Sequence, residues 1–516
     1  MSAGLEAASA KGALRRIGRK VFGRHLLNVA ILACICLGMM GQVRHPTELI
    51  QDPDVWWHLA DARILFTAHH FIRVDPYSFT LAGQPWVNPE WLGEVPYWLG
   101  YAWRGMLGLH LVAVLALCAN LIFVYFRSYF KSRHISAAFW TSVLGFFLIS
   151  INAGARTIGI AYLALSAEMA ILEAAENGRT RWLWLLPPLF CVWINLHGSW
   201  IIGLALLALY GLCGVLRLKV GVFHQEAFSR SERNRLLLVF LASVAALLVN
   251  PYGWRLIWNP FDMLLNQHLM LATMVEWAPL NLGTTTGMAA ALAIALMIVA
   301  NCVRGRTWKV YELAFILFAW YYAFAHQRFA FLACIVTMPW LAADVARSFM
   351  GAPEEKTIPA LNALIAAGIV CCFAYFFPSE SMLEQDFAAA RPLRTIASIQ
   401  PTWRTFNDYS LGGIMDFYSK PVFSDSRNDL FVHSGVYKDF LDIENLHAPE
   451  ALLNKYRVDH ALIRAGSALA LVLSRSPDWQ AEMREGSADN AFVLFARNPV
   501  AASGNAAPAA LTARRP

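Results

Sequence analysis

Three aspartates, Asp52, Asp54 and Asp61, lie close together in the stretch "DPDVWWHLADARILF", which follows an apolar segment and reads as a helix. Asp54 precedes the helical run, so its carboxylate is suited to cap the helix by accepting from the amide of residue 56 or 57. Capping explains one acid but not two. A carboxylate here can act as a general base toward an acceptor hydroxyl, and two can hold Mg²⁺ or Mn²⁺. We therefore predict Asp54, helped or replaced by Asp52, as catalytic residue or metal ligand, with Asp61 orienting the site.

Further polar residues stand where predicted apolar spans end. An arginine that faces a cavity suits a phosphate group through two parallel hydrogen bonds. The candidate substrate and phosphate ligands at these span ends are Arg156, His197 in "NLHGSW", Glu276 in "EWAP", His326 and Arg328. The structural alternatives are anchoring at the membrane interface for the arginines and His326, and an ordinary helix-end histidine for His197.

The composition indicates which kind of protein must position these residues. Of 516 residues, 58% are hydrophobic and only 15% are charged, and the mean hydropathy is +0.45. A soluble chain needs a more polar surface, so we predict an α-helical polytopic membrane protein. The net charge of +7 needs no nucleic-acid partner, because basic residues of membrane proteins collect in cytoplasmic loops. The nine cysteines lie in apolar runs without the CxxC spacing of a metal site.

Eleven apolar segments are candidates for membrane spans. They cover approximately 26–43, 107–126, 135–152, 158–175, 182–195, 200–216, 235–249, 286–303, 310–325, 329–346 and 358–377. The two segments around Pro187, Pro188 and "NLHGSW" could instead form one bent helix. About eleven transmembrane helices are therefore expected.

Basic residues fall in alternate connections, which predicts the orientation of the chain. The basic-bearing connections are 127–134, 176–181, 217–235, 304–309 and 347–356, and they join the basic N-terminus on the cytoplasmic side. The remaining connections then face outward, and they hold nearly all the candidate site residues. We expect a multi-pass protein of the cell (inner) membrane, with its N-terminus in the cytoplasm and its chemistry on the outer face.

Four regions are predicted from these patterns: a basic N-terminus (1–25), a transmembrane domain (26–377) with a long outer loop (44–106), an extracytoplasmic α/β domain (378–498) and a disordered tail (499–516). In the outer loop, 55–66 and 89–103 read as helices at the interface. In the α/β domain, "PVFSDSR", "VDHALI" and "NAFVLFAR" read as strands, with helices near 448–456 and 467–475. No internal repeat is visible.

Several motifs together resemble the GT-C superfamily of integral-membrane glycosyltransferases, and within it a bacterial group with a DPDxWWHL first outer loop. They are "DPDVWWHLADARIL", "DPYSFTLAGQPWVNPEWLGE", "WINLHGSW", "NPYGW", "EWAP" and "PVFSDSRNDLF". The likeness spans most of residues 45 to 460 and is densest in the first loop. Span four departs from the group, because it begins "ARTIGI" where Arg-Pro-Gln is expected.

The resemblance implies a sugar donor carried on a polyprenyl phosphate and an acid of the first outer loop acting as base or metal ligand, a role that maps onto Asp54 and Asp52. The expected partners are membrane lipid, the polyprenyl-linked donor and a glycan, lipid or protein acceptor. Beyond a divalent cation, no cofactor is expected. Two other functions remain open: a transporter or lipid flippase, which usually shows internal repeats and mid-membrane polar residues, and a non-enzymatic envelope assembly scaffold.

Overall fold

The computed structural model describes residues 25–38, 52–351, 358–487 and 490–498, apart from the side chains of Phe373 and Phe376. The predicted N-terminus up to residue 24 and the predicted tail from 499 lie outside this part of the chain. The described residues form two compact units. Of the described residues, the first unit contains 25–38, Asp52 and those within Asn88–Leu383, and the second contains Pro53–Val87 and those from Glu384 onward. Part of the first outer loop thus groups with the C-terminal residues, whereas the domain bounds expected from the sequence keep the whole loop with the transmembrane domain.

The first unit is almost entirely helical. Its helices are α1 (His25–Gly38), α3 (Trp91–Ser132), α4 (Ile135–Ile149), α5 (Thr157–Glu176), α6 (Leu186–Leu196), α7 (Trp200–Cys213), α8 (Arg230–Ala246), α9 (Trp254–Asn266), α10 (His268–Thr273), α11 (Thr285–Val303), α12 (Val310–Ala325), α13 (Ala330–Phe349) and α14 (Pro359–Phe376). A short hairpin, β1 (Leu218–Val220) and β2 (Phe223–Gln225), follows α7. Short 3-10 turns precede α5, α6 and α13.

A helix lies at each of the eleven predicted span positions. Within the described residues, five helical segments are long and apolar enough to cross a membrane: Trp91–Ser132, Ile135–Asn152, Thr157–Glu176, Thr285–Val303 and Gln327–Phe349. Helices α1, α7, α12 and α14 are apolar but shorter. The membrane character of the chain is thereby supported, while the full count of eleven spans stays a prediction. Helices α6 and α7 are separate, because the backbone is extended at His197.

Helix α13 is the most buried of the long apolar helices. Every residue from Ala330 to Ala342 is buried, so all faces of this mostly apolar part are covered, and the helix packs on α3, α4, α11 and α12. A helix that is hydrophobic all round is stable only when other helices surround it. Helix α13 therefore forms the core of the first unit, and Arg328 lies in the short 3-10 turn that precedes it.

Helix α3 combines a predicted interface helix and a predicted span. The helical dihedral angles break at Arg104 and Gly105, and Gly105 has a φ of 54°, which a glycine adopts without strain. The two parts then meet so closely that a Cβ atom on Gly108 would lie 1.7 Å from the carbonyl oxygen of Gly100. The interface helix predicted over 89–103 and the span predicted over 107–126 are thus the two parts of α3 on either side of this break.

The second unit combines the first-loop segment with a small α/β fold. Its helices are α2 (Asp54–Ala68), α16 (Leu393–Ser398), α17 (Gly412–Phe417), α18 (Asn428–His433), α19 (Val436–Glu444), α20 (Pro449–Lys455) and α21 (Ala468–Arg475); α15 (Glu380–Ala390) runs across the boundary from the first unit. Four strands form a mixed sheet in the order β3 (Thr405–Asn407), β4 (His460–Arg464), β6 (Phe492–Arg497) and β5 (Trp479–Glu485). Strand β3 is parallel to β4, and the other pairs are antiparallel.

The expected strand over "PVFSDSR" is wrong. Its backbone forms only an isolated bridge, between Val422 and Ser78, and the segment then leads into α18. The reason lies in its side chains: Arg427 and Asp425 are buried with Asp75 of the first loop, and this ion cluster replaces the regular pairing of a strand. The predicted strands over "VDHALI" and "NAFVLFAR" correspond to β4 and β6, and the two predicted helices correspond to α20 and α21.

Candidate functional site

In the first unit, Arg156 lies between two carboxylates. Its Nε donates to Oδ2 of Asp52, and its Nη1 donates to Oε1 of Glu276. The second carboxylate oxygen of Glu276 lies 3.9 Å from Nη1 of Arg328. The side chains are largely shielded from solvent, with Asp52 only 8% exposed. Asp52, Arg156, Glu276 and Arg328 therefore form a continuous line of alternating charge, which we call the charge line.

The two arginines control the ionisation of the acid between them. Burial alone would raise the pKa of the Glu276 carboxyl, but the guanidinium groups of Arg156 and Arg328 outweigh burial and lower the pKa below its ordinary value. Glu276 is therefore an anion at neutral pH. Two guanidinium groups converge on that anion, and such groups bind phosphate oxygens as readily as carboxylate oxygens.

Hydrogen bonds fix the backbone from which both arginines project. The Tyr97 hydroxyl donates to the carbonyl oxygen of Arg156 at 2.8 Å, and Nδ2 of Asn152 donates to the carbonyl oxygen of Arg328 at 2.8 Å. The guanidinium of Arg328 also lies 4.8 Å from the centre of the Trp277 ring, a distance at which a cation is attracted to the aromatic face. The arginines are thus held by partners outside the charge line.

His197 extends the polar region through an acid that the sequence analysis did not select. The Nδ1 atom of His197 accepts from the backbone amide of Ser199 at 2.9 Å, so its hydrogen is on Nε2, which lies 3.3 Å from Oε1 of Glu90. The other oxygen of Glu90 accepts from the hydroxyl of Thr157, the residue after Arg156. Glu90 therefore joins His197 to the start of α5.

His326 contacts the backbone of Trp277, the residue that follows Glu276 of the charge line. Its Nδ1 is 2.7 Å from the carbonyl oxygen of Trp277, and since a carbonyl only accepts, this nitrogen carries the hydrogen. The imidazole packs edge-on against the Trp277 ring, with 5.2 Å between ring centres. His326 thus supports the segment that carries Glu276 and makes no hydrogen bond of its own to the charge line.

Asp54 belongs to the second unit, and its predicted capping role is wrong. Helix α2 begins at Asp54 itself, so the cap position is Pro53, whose side chain makes no capping hydrogen bond. The Asp54 carboxylate instead accepts from the indole nitrogen of Trp57 at 3.2 Å. Helix α2 can start there because Gly413 lets the Pro53 carbonyl approach α17; a Cβ atom on Gly413 would lie 2.2 Å from that oxygen.

Asp61 is buried inside the second unit. Its side chain is 2% exposed, and Oδ1 accepts from the hydroxyl of Tyr77 at 2.6 Å. This contact ties α2 to the loop that follows it. The role of Asp61 in orienting the site stays a prediction, and the contact shows only that Asp61 holds the loop against α2.

A buried ion cluster that the sequence analysis did not select joins the two parts of the second unit. Arg427 is fully buried and donates to Asp75 and to Asp425, each at 2.6 Å. Its guanidinium lies between the rings of Tyr77 and Trp86, at 4.9 and 4.7 Å. A buried charge is tolerated only with partners of this kind. The motifs "DPYSFT" and "PVFSDSRNDLF" both stand out in the sequence, but no sequence pattern indicates that they contact each other in the fold.

Asp416 lies next to this cluster and has a raised pKa. Burial raises the pKa of its carboxyl well above the usual range, and the neighbouring Asp425 raises it further. The raised pKa favours the neutral form of Asp416, which limits the buried negative charge beside the guanidinium of Arg427.

The residues present do not fit the predicted divalent cation. In the part of the chain that the structure describes, no group of three or more His, Cys, Asp and Glu side chains could hold a metal ion. The Asp52 carboxylate accepts from Arg156, whose guanidinium supplies the positive charge where a cation would bind. Asp54, the other predicted ligand, accepts from the Trp57 indole.

The structure brings six of the eight predicted site residues into one region of the first unit. Asp52, Arg156, Glu276 and Arg328 form the charge line, while His197 and His326 are linked to its neighbouring residues. Asp54 and Asp61 lie in the second unit. Glu90 was missed, although it lies in the quoted motif "NPEWLGE", because only the fold shows that it meets His197 and Thr157.

Comparison with known proteins supports the fold. No family model matches the chain, and no curated protein matches it significantly in sequence. Among solved structures, the apo form of the Archaeoglobus fulgidus oligosaccharyltransferase matches with a TM-score of 0.50 and 12% identity, over 85% of this chain and 69% of that chain. The form tethered to an acceptor peptide has a TM-score of 0.49 and 12% identity, over 85% of this chain and 69% of that chain. The complex with Zn and sulfate has a TM-score of 0.45 and 13% identity, over 85% of this chain and 68% of that chain. The chain is therefore similar in fold to this oligosaccharyltransferase.

Proposed function

We propose that this chain is a glycosyltransferase that moves a sugar from a polyprenyl-phosphate donor to a glycan, lipid or protein acceptor. The observation that carries the proposal is the convergence of Arg156 and Arg328 on Glu276. Two guanidinium groups around one exchangeable anion are suited to a phosphate that enters in place of the carboxylate. The fold shared with an oligosaccharyltransferase supports the same class of reaction.

In the proposed reaction, the donor phosphate takes the place of Glu276 at the two arginines. The acceptor hydroxyl gives its proton to the Asp54 carboxylate, and its oxygen forms a bond to the anomeric carbon of the sugar. The bond from that carbon to the phosphate oxygen breaks, and its electron pair leaves with the polyprenyl phosphate. Arg328 and Arg156 stabilise the negative charge that develops on this leaving group.

Asp52 has a positioning role in this proposal. Its carboxylate accepts from Nε of Arg156, so it can hold the arginine in place after Glu276 has moved away. Glu276 is suited to exchange with phosphate because its side chain is 31% exposed, against 8% for Asp52. His197 and Glu90 would contact the sugar or the acceptor through their polar atoms, since they continue the polar region toward α6.

The alternation of basic connections supports an orientation in which this chemistry takes place on the outer face of the inner membrane. The segments with Asp52, Arg156, Glu276 and Arg328 are all connections on the predicted outer side. A lipid donor in the same leaflet could then reach the arginines without crossing the bilayer. The C-terminal α/β residues are assigned no bond-making step.

The direct test is a transfer assay with the full-length chain purified in a detergent without a sugar headgroup. Polyprenyl-phosphate-linked sugars with a radioactive label are supplied together with membrane extract as the source of acceptor. We expect the label to leave the lipid fraction and to appear, covalently attached, in a glycan, lipid or protein fraction.

A transporter or flippase would behave differently in the same experiment. In proteoliposomes it would change the side of the membrane on which the labelled lipid is found, without breaking the bond between sugar and phosphate. Recovery of all the label on intact donor, with every sugar tried, would contradict the proposed transferase activity. An Arg328→Gln chain serves as the inactive reference, and Arg217→Gln, an exposed arginine of another connection, as its matched control.

A further inference from the structure

The first unit has a groove of about 480 Å³ between the start of α8 and the 3-10 turn Thr180–Leu185, which precedes α6. Arg235 joins the two walls, because its Nη1 donates to the hydroxyl of Thr180 in that turn. The described residues that line the groove are Trp184, Arg230, Ser231, Asn234, Arg235 and Leu238. Within the part of the chain that the structure describes, the lining thus contains two arginines and no acid.

The groove is distant from the charge line. Arg156 directly precedes the first residue of α5, whereas Thr180 comes shortly after the last residue, Glu176. A helix rises about 1.5 Å per residue, so the two ends of this 20-residue helix are about 30 Å apart. The connections 176–181 and 217–235, which adjoin the groove, are both on the predicted cytoplasmic side. The groove therefore belongs to the side of the membrane opposite to the predicted chemistry.

The polar residues of the groove are accessible to a ligand. Arg230, Ser231 and Asn234 are all exposed, and they lie in the first two turns of α8. A guanidinium group binds phosphate oxygens through parallel hydrogen bonds, while a serine hydroxyl and an asparagine amide can both donate and accept. The polar end of the groove is therefore suited to a phosphate group with hydroxyls beside it.

The acid within this stretch of α8 is engaged elsewhere. Glu232 accepts from the backbone amide of Ser229 at 2.8 Å, in the capping box that begins the helix. It lines a neighbouring cavity and is absent from the described lining of the groove. A headgroup with an ammonium ion would therefore lie beside two arginines without a described carboxylate to balance it.

The same face of α8 becomes apolar beyond its second turn. Leu238 and Leu241 follow Asn234 by four and seven residues, a spacing that places all three on one face of a helix. The two leucines are 56% and 54% exposed, and Trp184 in the other wall is 49% exposed. Tryptophan is typical of the level at which a membrane meets water. Polar and apolar groups thus follow each other along the groove as they do along a phospholipid.

We propose that this groove binds an anionic phospholipid whose headgroup carries hydroxyls, the chemistry of phosphatidylglycerol. The phosphate lies against the guanidinium groups of Arg230 and Arg235. The headgroup hydroxyls bond to Ser231 and Asn234, and the acyl chains run along α8 past Leu238. Binding at this groove does not depend on the transferase activity proposed above.

The test is lipid binding to the full-length chain, purified in a polyoxyethylene detergent. Bound lipids are counted by native mass spectrometry, and melting temperatures are measured during titration, because a ligand of the folded chain raises the melting temperature. The probes are phosphatidylglycerol, phosphatidylcholine with the same acyl chains, and glycerol 3-phosphate, which has the phosphate without the chains. We expect phosphatidylglycerol to bind about tenfold more tightly than phosphatidylcholine. Glycerol 3-phosphate should give no shift at the same concentration.

Arg230→Gln removes one positive charge from the groove. It is expected to weaken the binding of phosphatidylglycerol about tenfold, the effect of a lost hydrogen bond to a charged group, and to leave the binding of phosphatidylcholine unchanged. Arg233→Gln is the matched control, because it removes the same charge from an exposed position of α8 outside the groove lining. Without lipid, both variants should melt with the unchanged chain, since both arginines are exposed.

Three results would overturn the proposed site. The first is equal binding of the two phospholipids by the unchanged chain. The second is an equal loss of phosphatidylglycerol binding in Arg230→Gln and Arg233→Gln, because the attraction would then come from the net charge of the surface. The third is a shift with glycerol 3-phosphate as large as the shift with phosphatidylglycerol, which would identify a free phosphate compound as the ligand. Sugar transfer is not measured in any of these experiments.

Discussion

Arg156 and Asp52 form an ion pair between residues that are 104 positions apart in the sequence. Acceptance of a proton by Asp52 would break this pair, so the contact favours a positioning role for Asp52 over a role as base. The arginine uses a different nitrogen for Glu276. The guanidinium of Arg156 therefore connects Asp52, at the start of the first-loop motif, with Glu276, in the connection before α11.

The geometry of this arginine leads to the first prediction. Arg156→Lys keeps the positive charge, but one ammonium group cannot reproduce two separate N–H contacts with Asp52 and Glu276. We expect the rate of sugar transfer to fall about tenfold to a hundredfold, with a melting temperature close to that of the unchanged chain. Arg217→Lys, at an exposed position, is the matched control. Full activity of Arg156→Lys would show that charge alone is required.

Much of this region could be anticipated from the sequence, because apolar runs and basic connections indicate where helices end. Arg156, Glu276 and Arg328 were each expected at the same membrane face for that reason. Which of these residues form ion pairs with each other was not predictable, since the pairing depends on side-chain directions that tertiary packing sets. Glu90 was missed for the same reason: a loop acid acquires meaning only when His197 and Thr157 are seen beside it.

The second unit was harder to predict. Local patterns indicated β4, β6, α20 and α21, because alternation and helical spacing are properties of short segments. The pairing of Asp75 with Arg427 spans 352 positions, and no local pattern carries that information. The same contact explains why the expected strand over "PVFSDSR" does not form and why part of the first loop groups with the C-terminal residues.

The lowered pKa of Glu276 gives a prediction about stability and pH. A carboxyl whose pKa is lower in the folded chain than in the unfolded chain stabilises the fold above the unfolded pKa of about 4.5. That contribution is lost as the pH falls through the lowered, folded value. Glu276→Gln should therefore melt below the unchanged chain at pH 7, and the difference should shrink as the pH falls below about 4.5. If the melting temperatures of the two chains differ by the same amount at pH 7 and below about pH 4.5, the ion pairing of Glu276 is contradicted.

The third prediction concerns metal ions. Because Arg156 provides the positive charge beside Asp52, transfer should proceed in excess chelator at a rate within about twofold of the untreated rate. The measurement uses the labelled donor with EDTA added before the enzyme, and a parallel sample receives excess Mg²⁺ or Mn²⁺ after the chelator. Loss of transfer that returns with either ion would show that a metal ion takes part and that Arg156 moves away from Asp52.

The last prediction tests the central claim, which is that the chain transfers sugars with Asp54 as base. Asp54→Asn keeps an oxygen that can accept from the Trp57 indole but removes the group that takes the proton. The decisive measurement is the transfer rate of this variant with saturating donor and a melting temperature matched to the unchanged chain. We expect a loss of about a thousandfold, within the range for removal of a general base. Transfer at the unchanged rate would contradict the role of Asp54 as base.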